Sequence, residues 1–373
     1  MDQEVEEEEI DDVGDATDSA ELHQLETSVD EASQHEQSLS RAARYRDALS
    51  IKRVDSRLMR PLIIALGRSD NHALLARHAR SLGVEYLGLE GYEVSELLRE
   101  GSALKDWLTH HTGERFRDRA LFLAVIDSSI PVATLRSFSS ALEGAGLTQI
   151  SVRTTPEMLE SIAAFTVADH SHHERESLYL LSIARSPHNQ IAIWPIITLG
   201  KDGTMREIVG VNSKERGDDP RLTHLVEQAI SEASKSSLVG VINYVIDPDE
   251  GSVIRREFGA STFTFWSESA SYTTVTEEIV RAILDLPLGD TRMIDYEEYF
   301  IQEELEIDAT LVVDPIRPFL HLFARNPRLK VRYLSDLDGE ASAVVRISIS
   351  LFASSADEAL AEMAHAREFM MGR

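Results

Sequence analysis

The chain has 373 residues, 43% of them hydrophobic, and a formal net charge of −27. That length accommodates two or three domains, and no run of about 18 apolar residues is present to span a membrane. The absence of cysteine excludes a disulfide framework, thiol catalysis and Cys-ligated zinc.

The charge is unevenly placed. Residues 1–40 hold 15 Asp or Glu and no Lys or Arg, which leaves −12 on the rest. EVEEEEIDD repels itself, and the Ser, Thr, Gln and Asp positions after it offer little apolar surface to offset the entropy of ordering. Residues 1–44 therefore read as a disordered acidic tail, and 41–58 as a linker or short helix. An acidic surface repels phosphate backbones, so nucleic acid is not an expected partner. The acidic N-terminus is unlike a signal peptide, and the expected location is cytoplasmic.

Folding should begin near Leu62, where LIIALG fits a buried strand punctuated by Gly67. HALLARHARSLG has apolar residues at helical spacing with Gly83 as a stop, and VEYLGL reads as a second strand. Strand, turn, helix, strand is the order of a parallel α/β unit. In the turn GRSDNHALL, Asp70 reads as the helix cap, which leaves a poor cradle for an anion. Residues 92–115 are helical and polar. GLTQISVRTTPEMLESIAAF passes straight from strand to helix. His170, His172 and His173 cluster in ADHSHHERES; this reads as a polar surface turn, with a transition-metal site as the alternative.

SLYLLSIARSPHNQIAIWPIITL predicts a core hairpin turning at SPHNQ. RLTHLVEQAISEASKSS predicts an amphipathic helix with Leu222, Leu225, Val226 and Ile230 on one face. LVGVINYVIDPDEGSVIRREF predicts two strands around DPDEG. Near the C-terminus, HLFARNPRLKVRYL has the pattern of helix, Pro-containing turn and strand. SADEALAEMAHAREFMM predicts a final helix capped by Ser355 with Glu358, its Met residues packing in the core.

Several of these stretches together resemble carboxyaminoimidazole ribonucleotide synthase, the purine-biosynthetic ATP-grasp family. The resemblance covers about residues 60–370. It rests on Ala184-Arg185-Ser186 with Trp194-Pro195, on RAILDLPLGDT after Glu257 and Trp266, and on HLFARNPRLKVRYL with Tyr333. It implies a mixed α/β and α+β fold with ATP-grasp architecture. The expected parts are a Rossmann-like subdomain over 60–118, a shortened lid over 119–185, a central antiparallel-sheet domain over 186–308 and a small C-terminal subdomain over 309–373. Pro131 and Phe138 match the family's stretch just before its lid.

The resemblance also implies ATP and Mg²⁺ as cofactors. Arg153 stands where the family has a nucleotide-binding lysine, Glu176 where it has a nucleotide-contacting acid, and Glu257 where it has one of two magnesium-holding acids. At five functional places the family's residues differ here: the first glycine turn, the glycine-rich lid loop, the first metal acid (replaced in VINYVI by Asn243 and Tyr244), the Arg-Pro-His-Asn-Ser-Gly segment (here GASTFTF), and the basic C-terminal run, where Asp336, Asp338 and Glu340 enter. A pseudoenzyme with a binding or regulatory role, acting through a protein partner or as a homodimer on an unknown small-molecule ligand, is the expected function. An active ATP-dependent ligase is the alternative.

Overall fold

The computed structural model describes residues 60–99, 103–112, 120–145, 150–163, 178–199, 207–210, 220–247, 249–261, 264–294, 299–308, 316–334 and 344–371. The acidic tail, the histidine cluster, Glu176, and Asp336, Asp338 and Glu340 lie outside them.

Two sheets organise these residues. The first has β1 (Leu62–Leu66), β2 (Glu85–Leu89), β3 (Leu121–Val125) and β4 (Ile150–Val152), in the order β2-β1-β3-β4, and its pairings are parallel. The expected strand–helix–strand unit is its core: α1 (Ser69–Ser81) crosses from β1 to β2. All five residues of β1 are buried, and the two-residue period of a strand divides them. Leu62, Ile64 and Leu66 share a core with α2 (Gly91–Arg99), α3 (Ala103–Thr112) and α4 (Val132–Gly144). Ile63 and Ala65 face Leu75 and Ala79 of α1.

Two expectations are corrected here. LFLAV, placed by resemblance in a shortened lid, is β3, a central strand paired residue for residue with β1; β4, followed by α5 (Pro156–Ala163), pairs with it in turn. Pro131 is the N-cap residue of α4, in extended backbone and immediately before the first helical residue. Asp70 is not the cap of α1 either. Arg68 holds that position in extended backbone, and Asp70 is the second helical residue.

The second sheet has nine strands, all its pairings antiparallel, in the order β10-β9-β5-β7-β8-β11-β13-β12 with β6 paired to β5. The predicted hairpin supplies β5 (Leu178–Arg185), β6 (Ile191–Ile193) and β7 (Ile197–Leu199), and β8 is Glu207–Gly210. The predicted amphipathic helix is α6 (Pro220–Lys235), with Leu225 buried against β5. β9 (Gly240–Asp247) and β10 (Ser252–Phe258) flank the DPDEG turn, in which Asp247 accepts hydrogen bonds from the backbone N–H groups of Asp249 and Glu250 at 2.9 and 3.1 Å. Two helices follow, α7 (Ser267–Ala270) and α8 (Val275–Leu284); Val275, Ile279 and Ile283 of α8 pack on Leu180 and Ala184 of β5.

β11 (Tyr299–Asp308) pairs on one side with β8 and on the other with β13 (Val344–Ala353), so the C-terminal segment continues the central sheet. α9 (Ile316–Arg325), β12 (Lys330–Tyr333) and α10 (Ala356–Met370) complete it. Met363 and Met370 are core residues, as expected. Among the described residues no helix is long and apolar enough to cross a membrane.

Candidate functional site

In an open parallel sheet, ligands bind in the crevice beyond the carboxyl ends of the strands, where neighbouring connections diverge. Here that place lies between the ends of β1 and β3, at the N-terminus of α1. Helix N-terminal N–H groups attract anions, and the chain supplies one itself. Asp127, 3% exposed, follows β3. Its Oδ2 accepts from the backbone N–H of Arg68 at 2.8 Å and from Nδ2 of Asn71 at 2.9 Å; its Oδ1 accepts from the backbone N–H of Ser129 at 2.8 Å and from the Ser129 hydroxyl. Gly67 is required by this close packing. A Cβ there would stand 2.4 Å from Cγ1 of Ile126 and 2.7 Å from Asp127 Oδ2.

Phe258–Ala260, at the end of β10, close the same crevice from the other sheet. The backbone N–H of Ala260 donates to the Ile126 carbonyl at 2.7 Å, and Asn71 Nδ2 reaches the Ala260 carbonyl at 3.3 Å. The Ser128 hydroxyl accepts from the Phe258 N–H at 2.9 Å. Gly259, bridged to Asp127, adopts φ +78°, and a Cβ on it would fall 2.0 Å from the Ile126 carbonyl oxygen. Phe258–Ala260 thus runs as a short zipper along Ile126–Ser128.

The other half of the expected site is the β9–β10 pair. Asn243 and Glu257 are direct register partners, and Tyr244, the other residue read at the first acid's place, pairs with Arg256. Asn243 is fully buried: its Oδ1 accepts from the Ser182 hydroxyl at 2.7 Å, and its Nδ2 donates to the Gly259 carbonyl at 2.8 Å. Glu257 stands 3.1 Å from Nε of Arg255, two residues back on its own strand. Burial raises its carboxyl above the usual range, against the opposing pull of Arg255 and a hydrogen bond with Ser261. Magnesium needs several hard oxygen ligands in octahedral geometry. One amide committed on both ends and one carboxyl facing a guanidinium do not fit that ion. Among the described residues no group of three His, Asp or Glu side chains could hold a metal.

Arg153 follows β4 directly. Its Nε donates to the Ile283 carbonyl at 2.7 Å, and its guanidinium lies 5.1 Å from the centre of the Phe122 ring. It ties the end of β4 to the C-terminus of α8. Burial lowers its pKa, with Asp285 acting in the opposite sense. Glu257 and Asn243 are therefore brought together, and Arg153 is engaged elsewhere.

Sequence reasoning missed Asp127 and Asn71. The available signal was the apolar run ALFLAVI ending in Asp-Ser-Ser, which is a strand followed by an Asx turn. It also missed Glu278 of α8, fully buried, whose Oε1 accepts from the Gly289 N–H. Burial pushes this carboxyl up to about 7, opposed by the Gly289 hydrogen bond and Arg281.

No family model matches the chain. A stretch of 113 residues is 28% identical to the N5-carboxyaminoimidazole ribonucleotide synthases of Mycobacterium tuberculosis and Mycobacterium bovis; it covers 29% of this chain and 26% of theirs, so the chain matches about a quarter of the length of these curated relatives. Solved structures agree over far more of the fold. The enzyme of Aspergillus clavatus complexed with ATP superposes with a TM-score of 0.59 at 9% identity, covering 83% of this chain and 98% of that one. An ADP complex of N5-carboxyaminoimidazole ribonucleotide synthetase gives 0.57 at 11% identity, over 84% and 98%. The Thermus thermophilus enzyme gives 0.58 at 14%, over 83% and 99%. The fold is the ATP-grasp architecture, with its parallel and antiparallel sheets, as the sequence led one to expect. The chain resembles these synthases at low identity.

Proposed function

We propose that this chain is an ATP-grasp scaffold that has given up the ligase reaction and serves by binding, as a regulatory partner of another protein or of a second copy of itself. The observation that carries this reading is the Asn243–Glu257 pair. Phosphoryl transfer depends on positioning and on charge neutralisation by metal ions held on such a pair. Here the first member is neutral and spent on Ser182 and Gly259, and the second faces Arg255. Asp127 adds to the argument, because it fills an anion-attracting helix N-terminus with the protein's own carboxyl.

The alternative is an active ligase that consumes ATP, bicarbonate and aminoimidazole ribonucleotide, as the resemblance to the mycobacterial synthases suggests. ADP release by the purified full chain, measured with all three substrates and Mg²⁺, separates the two. The expected result is no release above a blank without protein. Release that requires both bicarbonate and the ribonucleotide sinks the scaffold reading.

A further inference from the structure

Three strands at the C-terminal end of the large sheet set polar residues in rows on one face. Register puts Gln302 of β11 beside Ser350 of β13, and Ser350 beside Lys330 of β12. Two residues along, Ser348 lies beside Arg332, with Glu304 on its other side. Side chains two apart on a strand share a face. The opposite face of the same strands, with Ile301, Ile347 and Ile349, packs on α10. The polar face instead floors a cleft of about 410 Å³, within the range of small-molecule sites. Phe265 and Phe323 form apolar walls, and Glu268 and Arg77 close one side.

Two buried donors that line this cleft have no acceptor. Gln302 is 2% exposed, and its Nε2 has no hydrogen-bond partner. Nη1 of Arg332 is also buried without one, its guanidinium held 4.8 Å from the centre of the Phe265 ring. The Glu268 carboxyl is occupied by Arg77 at 2.7 Å and by the Thr276 hydroxyl. Arg77, Lys330 and Arg332 line the cleft with Glu268, and Glu304 lies two residues beyond Gln302 on the same face of β11, in a chain whose net charge is −27. Buried donors without acceptors are costly and rare in folded proteins, and an acceptor entering the cleft would satisfy them.

We propose that this cleft binds a small molecule through an oxyanion, a carboxylate or a phosphate, received by Gln302 Nε2, Arg332 Nη1 and Lys330. An aromatic or apolar remainder would rest against Phe265 and Phe323. The site shares no residue with the crevice around Asp127 and is independent of whether the chain is a ligase. Arg77 sits six residues beyond Asn71 on α1, about 9 Å further along the helix.

The test is calorimetry on the full chain at constant ionic strength, with benzoate, phenyl phosphate and inorganic phosphate as probes. Benzoate or phenyl phosphate should bind at least about tenfold more tightly than inorganic phosphate, and the tighter of the two identifies the anion. Arg332→Gln and Gln302→Leu should each weaken that probe by about tenfold or more. Lys330→Gln changes an exposed side chain and leaves folding intact; it should weaken binding by about threefold. No heat from any probe up to about 10 mM, or affinities in Lys330→Gln and Gln302→Leu equal to the parent, overturns the proposal.

Discussion

Nδ2 of Asn71 lies 2.9 Å from Asp127 Oδ2, and through this pair the start of α1 is fastened to the end of β3. The same amide reaches the Ala260 carbonyl, so three segments distant in sequence meet at one side chain. A buried network of this kind is costly to break, because each donor left behind has no water to turn to. Asp127→Ala strands the N–H groups of Arg68 and Ser129 and the Asn71 amide. The expected loss is about 2–4 kcal/mol in urea denaturation. A loss below about 1 kcal/mol would mean that water replaces the carboxyl, and that the crevice is open to ligands.

Gly259 makes the companion case. Its φ of +78° already disfavours a side chain, and the Ile126 carbonyl 2.0 Å from a built Cβ forbids one unless the zipper separates. Gly251 has a similar φ of +62° with nothing within 4 Å. Gly251→Ala should therefore cost about 1 kcal/mol, and Gly259→Ala about 3 kcal/mol or more. Thermal melts of the two variants side by side test the difference. Equal losses would show that the Phe258–Ala260 segment yields freely and does not clamp the two sheets.

Much of the scaffold was legible because it is local. The SPHNQ hairpin, the DPDEG turn and the α6 stripe each follow from residues within a few positions of one another. Ser355 caps α10 as its pattern indicates, accepting from the Glu358 N–H at 3.2 Å. β3 was misplaced for the opposite reason. Its apolar run is strand-like on its own terms, but the sheet it joins is set by pairing with β1, far back in the sequence. The closed crevice had no local pattern at all. Ser128 meets Phe258 across 130 positions and Asn71 meets Ala260 across 189. Neither contact leaves a spacing to read. The Arg255–Glu257 pair was half legible, since residues two apart on a strand share a face.

Asn243 allows a direct test of the proposed scaffold reading. Asn243→Asp places a carboxyl opposite Glu257 but removes the donor that now serves the Gly259 carbonyl. A carboxylate there meets a carbonyl oxygen in a buried place, so the variant should lose about 2–4 kcal/mol at neutral pH. It should also show no heat with Mg²⁺ and ATP, because Arg255 still engages Glu257. Tight magnesium-dependent ATP binding by the variant would mean that a single substitution separates this chain from a working metal site.

Two buried glutamates set opposite pH limits on stability. Glu278 is raised to about 7 by burial, against Gly289 and Arg281 and with help from Glu277. Glu268 is held down at about 2: burial raises it, but hydrogen bonds from His78 and Thr276 and the charges of His78 and Arg332 outweigh that. A raised carboxyl binds its proton more tightly in the folded state. Its contribution is therefore fully present below about 4.5 and is lost as pH rises to about 7, on the order of 3 kcal/mol. A depressed carboxyl contributes above about 4.5 and loses that as pH falls toward about 2. Glu278→Gln keeps an oxygen for the Gly289 N–H and removes the titration. Denaturation of parent and variant from pH 4.5 to 8 should give a gap that shifts in the variant's favour as pH rises and levels off above 7. The slope is the readout, because the new amide meets the place where Oε2 now has no partner and carries its own constant cost. A gap that stays constant with pH would show that Glu278 is already ionised in the folded protein, with a counter-charge or water reaching Oε2.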